Sequence, residues 1–321
     1  MISFIIIGRN EGWRLKLCLK SAEKTIKQCK LNAEIIYVDS QSTDDSLRVV
    51  KEFALVKVFV ITGKYNAAIA RNIGVKESQG DSLVFLDGDM EVNPDFLSLI
   101  FDDQQKLKYD FVSGNFMNYY YDDEGNFLSK DFYKKIYCAQ DTYQYTTGGL
   151  FAIKRTIWES VGGMKSKYKK GQDLDFGYRL ANRGVFLLRK KECMANHHTI
   201  DYKNEKRLWR SFSDGTYVYP RAVLYRDHFF NKYVLKRLLT SDPTWLMLMM
   251  CIITSATESH VYPLLVYVFF SVAAVMYSMR KIGFKGLFNR VVNHVFRDIF
   301  NVFALFLFFP RKTKELAYKK V

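Results

Sequence analysis

Residues 83 to 92 read LVFLDGDMEV: four apolar residues, then Asp87 and Asp89 on either side of Gly88. Two carboxylates so close repel each other unless a cation lies near them. Their oxygens suit hard ions such as Mg2+ or Mn2+, which are held by one or two carboxylates plus diphosphate oxygens. The alternative is a surface turn with two solvated acids. Two more apolar runs end in polar clusters: ISFIII leads to Gly8-Arg9-Asn10-Glu11, and IIYV leads to Asp39-Ser40-Gln41-Ser42-Thr43-Asp44. Asp44 reads as a helix cap, and Asp39 equally as a cap or a ligand contact. Further on, Gln172-Asp173-Leu174-Asp175 opens a helix-like stretch in which Asp173 could be an N-cap. Helical spacing carries Asp173 and Asp175 to different faces, so they should not share one task.

The elements that must position these groups alternate. ISFIIIG, IIYVDS, VKVFVIT and SLVFLDGD read as strands. Helices are expected around Trp13 to Cys29, Asp44 to Phe53 and Tyr65 to Ser78. This pattern predicts an α/β fold, Rossmann-like, with a mostly parallel sheet flanked by helices, and such sheets bind ligands at the carboxyl ends of their strands. Asp110 to Tyr145 is aromatic and aperiodic, and reads as an irregular or antiparallel excursion.

The chain has 321 residues, 49% hydrophobic, with a net charge of +15. Five cysteines without a C-x-x-C pair read as reduced thiols, which suits cytosolic exposure. The apolar N-terminus is too short for a secretory leader and reads as the first strand. Residues 203–240 hold nine Lys/Arg against three acids, whereas 243–279 hold none. Within that basic-free interval, TWLMLMMCIITSAT and VYPLLVYVFFSVAAVMYSM are separated by a short ESH link. Basic flanks on both outer sides predict a membrane hairpin (about 244–279) with both ends cytoplasmic, the alternative being two buried core helices. IFNVFALFLFF (299–309) is short for a span and reads as an interfacial or re-entrant helix with a basic tail.

The ordered segments IIIGRNEG, IIYVDSQSTDDS, NAAIARNIGVKESQGDSLVFLDGD, TTGGLFAIKRTIWESVGGM and GQDLDFGYRL resemble the inverting nucleotide-sugar glycosyltransferases of family 2, with their GT-A fold, over roughly residues 1 to 200. The resemblance implies a nucleotide-sugar donor. Gly8, Arg9, Asn10, Glu11 and Asp39 would hold its base and ribose, with Asp39 accepting from a uracil-type imide as in a UDP-sugar. Arg71 would sit near the diphosphate, and equally reads as an ion-pair partner of Asp87 or Glu11. Asp87 would face ribose or sugar, Asp89 would ligate Mn2+ or Mg2+, and Gly88, Gly148 and Gly149 would let backbone approach the ligands. Asp173 matches the family's general base, which an inverting transfer needs to take the acceptor hydroxyl's proton. His197 or His198, with His198 favoured, matches a further metal ligand, and a surface histidine pair is the alternative.

Two departures stand out. Gln172 replaces the usual Glu before the base, and Ile7-Gly8-Arg9 replace the usual proline and tyrosine, which removes any inference about base selectivity.

The domains implied are a catalytic domain at 1–205, a basic juxtamembrane helical region at 206–240 and a membrane-associated region at 241–321. Together they predict a hexosyltransferase on the cytoplasmic face of a membrane, anchored by its C-terminal helices against anionic lipid. It would act on a glycan or lipid-linked acceptor in polysaccharide biosynthesis, with Arg207 and Arg210 guiding lipid or acceptor. No Q-x-x-R-W-type motif signals processive synthesis. The competing readings are a sugar nucleotidyltransferase, which lacks a Gly-rich basic loop here, and a non-catalytic membrane-bound module for nucleic acid or acidic polymer. The clustered acids oppose the latter, so no nucleic acid is expected.

Overall fold

The computed structural model describes residues 1–200, 211, 213–280, 286–313 and 315–321. Arg207 and Arg210 lie outside the described residues. Two compact units emerge: Met1–Ser211 with Arg311–Val321, and Phe212–Pro310. The boundaries differ from those expected, because the terminal segment rejoins the first unit and residues from 212 onward group with the later helices.

In the first unit, strands and helices alternate as expected: β1 (Ile2–Gly8), α1 (Trp13–Gln28), β2 (Ala33–Asp39), α2 (Ser46–Val50), β3 (Val56–Ile61), α3 (Ala67–Glu77) and β4 (Ser82–Asp87). Short β5 (Met90–Val92) and α4 (Pro94–Ile100) follow. The aromatic stretch then forms an antiparallel hairpin, β6 (Phe111–Tyr121) and β7 (Phe127–Phe132), followed by β8 (Thr142–Gln144). β9 (Phe151–Lys154), α5 (Arg155–Ser160), α6 (Gln172–Ala181) and the long β10 (Leu187–Ile200) complete the run. The sheet order is β11-β3-β2-β1-β4-β9-β6-β10-β5, with β7 on β6 and β8 on β10; β11 is Tyr318–Lys320. β3, β2, β1 and β4 are mutually parallel, and the other half is mixed, with β9 antiparallel to β4 and β6.

β1 is buried on both faces, which is why it reads as a continuous apolar run. Ile2, Phe4 and Ile6 pack into one helical layer with Leu15, Cys18 and Leu19 of α1; Ile5 and Ile7 pack into the other with Ile69 and Ile73 of α3. The register aligns the strand ends, pairing Gly8 with Asp39 and Ile7 with Asp87. The functional segments therefore share one sheet edge. The tail expected at a membrane instead adds β11 antiparallel to the β3 edge, with Tyr318 OH donating to Glu77 at 2.5 Å.

The second unit is helical: a short turn α7 (Leu224–Asp227), then α8 (Lys232–Ser241), α9 (Pro243–Glu258), α10 (Tyr262–Met279) and α11 (Leu287–Leu307). The axis bends by 86° between α8 and α9, where Pro243 starts the new helix. By length and composition, α10 is the one helix among the described residues that could cross a membrane alone. α11 is longer than the short apolar run suggested, because Arg290, His294, Arg297, Asp298 and Asn301 recur on one helical face and break the run without breaking the helix.

This unit combines buried polar groups with an apolar outer surface. Asp298, Asn301 and Ser271 are fully buried, whereas Phe269, Phe288, Phe303 and Leu307 are exposed. Asp298 accepts from Thr244 Oγ1 at 2.7 Å, Arg297 Nε at 2.9 Å and Tyr267 OH at 3.3 Å. Asp242 accepts from Arg221 Nε at 2.8 Å and from the Tyr225 hydroxyl.

Candidate active site

A cleft of about 440 Å³ opens at the aligned strand ends, lined among others by Gly8, Arg9, Glu11, Arg71, Asp87, Asp89, Gly149 and Asp173. Three carboxylates thus converge near the ends of β1 and β4, opposed by two guanidinium groups. Arg71 comes from α3, whose N-cap Asn66 accepts from Ile69 N at 2.9 Å. Its Nη2 donates to Asp87 Oδ1 at 2.6 Å. Arg14, not anticipated from the sequence, pairs with Glu11 at 2.8 Å, lies 3.9 Å from Asp89 and donates to the His198 carbonyl at 3.4 Å. Burial, then the charges of Asp89 and Asp87, push the Glu11 carboxyl up to about 7 against the pull of Arg14. Burial also raises Asp87, although Arg71 pulls it down.

Gly149 delivers the backbone against this pair. A Cβ there would lie 2.1 Å from Asp87 Oδ2 and 3.0 Å from Arg71 Nη2, so no side chain fits without moving the carboxylate. The loop before it is held by Arg189, a fully buried guanidinium missed by sequence reading. It donates to the carbonyls of Thr147 at 3.1 Å and Gly114 at 2.7 Å, and to Gln144 Oε1 at 2.8 Å. Burial among neutral partners lowers its pKa to about 10.

Asp173 enters from the first turn of α6, which starts after left-handed Gly171 at φ 74°. Burial raises its carboxyl, opposed by the Arg71 charge and by backbone N–H groups. Gln172 beside it lines the cleft, and its buried Oε1 has no hydrogen-bond partner. Asp175 points elsewhere, fully buried against Arg179 at 2.7 Å and Lys165 at 3.1 Å.

Several expected contacts fall outside the cleft lining. Asp39 is fully buried; its oxygens accept from Ser42 N at 2.8 Å, Ser42 Oγ at 2.5 Å and Tyr37 OH at 3.0 Å. Its neighbour Ser40 lines the cleft instead. Asn10, left-handed at φ 58°, ties the first two strand-end loops by accepting from Thr43 N at 2.8 Å. Gly88 is packed so that a Cβ would come within 3.1 Å of Glu11 Cγ. Tyr65 is an unanticipated cleft residue, with the Arg9 guanidinium 4.6 Å above its ring.

The histidines separate as adjacent strand residues must. β10 pairs with β5 so that His197 faces Met90, just after Asp89, and His197 Nε2 lies 3.2 Å from Asp89 Oδ2. His198, favoured from the sequence, turns to the other side. Its Nε2 is bonded to Glu91 at 2.7 Å and its Nδ1 to Tyr121 OH at 2.9 Å, which leaves neither nitrogen for Asp89. Burial lowers the His197 pKa, but the hydrogen bond and charge of Asp89 outweigh it and the net shift is upward.

The described residues contain no ready group of three His, Cys, Asp or Glu arranged as a metal centre. They nevertheless fit a divalent cation that draws its remaining ligands from a diphosphate: Asp89 Oδ1 is buried without a hydrogen-bond partner, and His197 flanks its other oxygen.

An α/β sheet with this edge cleft defines a GT-A type glycosyltransferase, and the comparisons agree. The model for glycosyl transferase family 2 matches residues 3–186, so the chain belongs to that family. Glycosyltransferase GlyG of Streptococcus pneumoniae serotype 4 is 33% identical over 237 residues, covering 69% of this chain and 71% of the relative. A dolichyl N-acetyl-alpha-D-glucosaminyl phosphate 3-beta-D-2,3-diacetamido-2,3-dideoxy-beta-D-glucuronosyltransferase of Methanococcus voltae is 25% identical over 250 residues, covering 72% of this chain and 75% of the relative. The crystal structure of GalNAc-T7 with UDP, GalNAc and Mn2+ shares the fold at a TM-score of 0.50 and 18% identity, covering 77% of this chain; this chain spans 57% of that one.

Proposed function

We propose that the protein is an inverting, metal-dependent hexosyltransferase that moves a sugar from a nucleotide diphosphate to a hydroxyl of a glycan or lipid-linked acceptor. The observation that carries this reading is the meeting of Asp173 with Asp87, Asp89 and Arg71 in one cleft. Asp173 takes the acceptor hydroxyl's proton as that oxygen attacks the anomeric carbon; inversion of an α-linked donor gives a β product. Burial raises its carboxyl, which makes it the stronger base, while the Arg71 charge favours its ionised form. Asp87, pinned by Arg71, orients the donor, and Gly149 lets the backbone close on it. Gly8, Arg9 and Glu11 hold the nucleotide end. Asp39 acts at one remove by fixing Ser42 beside Ser40, which revises its expected direct contact with a base. Asp89 and His197 are the residues that would hold Mn2+ or Mg2+, whose charge, when bound, stabilises the departing diphosphate.

We assign the helical unit to membrane attachment, with the catalytic unit on the cytoplasmic face and anionic lipid as partner. The outward phenylalanines support this, because an apolar outer surface suits hydrocarbon better than water. The Methanococcus relative, whose named acceptor is dolichyl-linked, supports a lipid-linked acceptor.

A panel of nucleotide sugars with Mn2+, read by release of nucleotide diphosphate, tests the reading. One donor should be turned over, and Asp89→Ala and Asp173→Asn should each cut the turnover by about 100-fold or more. Activity that survives both substitutions overturns the mechanism.

A further inference from the structure

We propose that a cavity within the helical unit holds one acyl chain of an anionic membrane phospholipid. This rests on the membrane-attachment reading above and adds to it a defined site for a single lipid.

The cavity measures about 440 Å³. Its inner wall is Val234, Leu238 and Trp245, all buried, and its mouth is formed by Phe229, Phe306 and Phe309, exposed at 61%, 62% and 64%. The polar-tipped lining residues are Tyr225, Arg226 and Trp245; the first two are committed elsewhere, and Trp245 Nε1 is buried with no hydrogen-bond partner among the described residues. The Tyr225 hydroxyl donates to Asp242, while Arg226 donates to the Leu305 carbonyl at 2.8 Å and lies 4.1 Å over the Phe309 ring. Water inside would find one open donor, Trp245 Nε1, of the two to four polar partners it needs, so the space suits hydrocarbon. The mouth opens among exposed apolar side chains, so a chain can enter directly from a lipid phase.

Charge selects the head group. Helix Lys232–Ser241 supplies Val234 and Leu238 to the cavity and carries Lys232, Lys236 and Arg237 with no acid. Lys232 and Lys236 are exposed and one turn apart, placed to receive a phosphate whose chain lies on the other side of the helix. A peptide occupant would bring backbone N–H and C=O groups that the cavity cannot satisfy.

Trp245 provides the readout. The full-length protein is mixed with vesicles of phosphatidylcholine and phosphatidylglycerol in which one lipid carries a brominated acyl chain, since bromine quenches indole on contact. Brominated phosphatidylglycerol should quench wild-type emission more than that of Trp245→Phe, and more than brominated phosphatidylcholine does at the same density. Val234→Phe, which fills the cavity, should remove the excess quenching. Lys232→Gln with Lys236→Gln, which leaves the interior alone, should weaken it by about tenfold in phosphatidylglycerol concentration. Vesicle binding without excess quenching of Trp245, or equal quenching by both lipids, overturns the proposal and leaves membrane attachment standing. Failure to sediment with any vesicle overturns membrane attachment itself.

Discussion

The two units both bury apolar and polar groups but differ in what they show on the outside. In the sheet unit Ile2, Phe4 and Ile6 are hidden, and so are Asp39, Asp175 and Arg189, each held by internal hydrogen bonds. In the helical unit Asp298 and Asn301 are hidden, and Phe288, Phe303 and Leu307 face out. Each arrangement is self-consistent only if its surroundings differ, since buried polar groups must pair internally and outward apolar ones must meet something other than water. Mean composition cannot show this contrast; residue-by-residue burial can.

Substitutions that respect or violate each unit's polarity sharpen the comparison. The largest effect is expected at Asp173, where Asn keeps the shape and removes the base; kcat should fall by about 10²–10⁴ with donor KM nearly unchanged. Next comes Asp298→Ala, which strands Arg297 and Thr244 in the helical core. It should cost about 3–5 kcal/mol in thermal or denaturant unfolding of the detergent-solubilised protein while the isolated cleft chemistry is spared. Gly149→Ala should lower kcat/KM by about 10²-fold, because the 2.1 Å clash moves Asp87, and circular dichroism should stay native. Phe303→Asn should weaken vesicle partitioning by about tenfold or more without unfolding the protein, the reverse of what a core phenylalanine would show.

The smallest effect is on pH dependence. Burial raises the free-enzyme carboxyl of Asp173, and its protonated form cannot act as base. The fall in kcat/KM on acidification should therefore set in above the ordinary carboxylate range of about 4. Glu11, pushed up to about 7, adds a second protonation that Glu11→Gln removes. An acid limb identical in wild type and Glu11→Gln would remove Glu11 from that account.

What could be read in advance was local. The strand ends, the paired aspartates and the order of the segments are written in consecutive residues, and the fold places nine of the expected residues around one cleft. What escaped depends on pairings between distant segments. The choice between His197 and His198 is fixed by the register of β10 against β5, which two adjacent histidines cannot reveal. Arg14 looks like one more helix-surface cation until β10 brings the His198 carbonyl to it. Arg189 sits in a run of basic residues, and nothing in LLRKKE distinguishes the one that is buried. Tyr318–Lys320 reads as a basic tail because its partner strand, Val56–Ile61, lies in a distant part of the chain, with Tyr318 pairing with Ile61.

That terminal strand also constrains topology. A chain that leaves the sheet fold after Ser211 and returns to it at Arg311 forms a closed excursion. With both ends belonging to one folded body, it can traverse a bilayer only an even number of times. Three long helices lie in the excursion, Pro243–Glu258, Tyr262–Met279 and Leu287–Leu307, so in a bilayer not all three could pass through it once each. Parity, set by three residues at a sheet edge, thus limits how the helices between Ser211 and Arg311 could cross a bilayer.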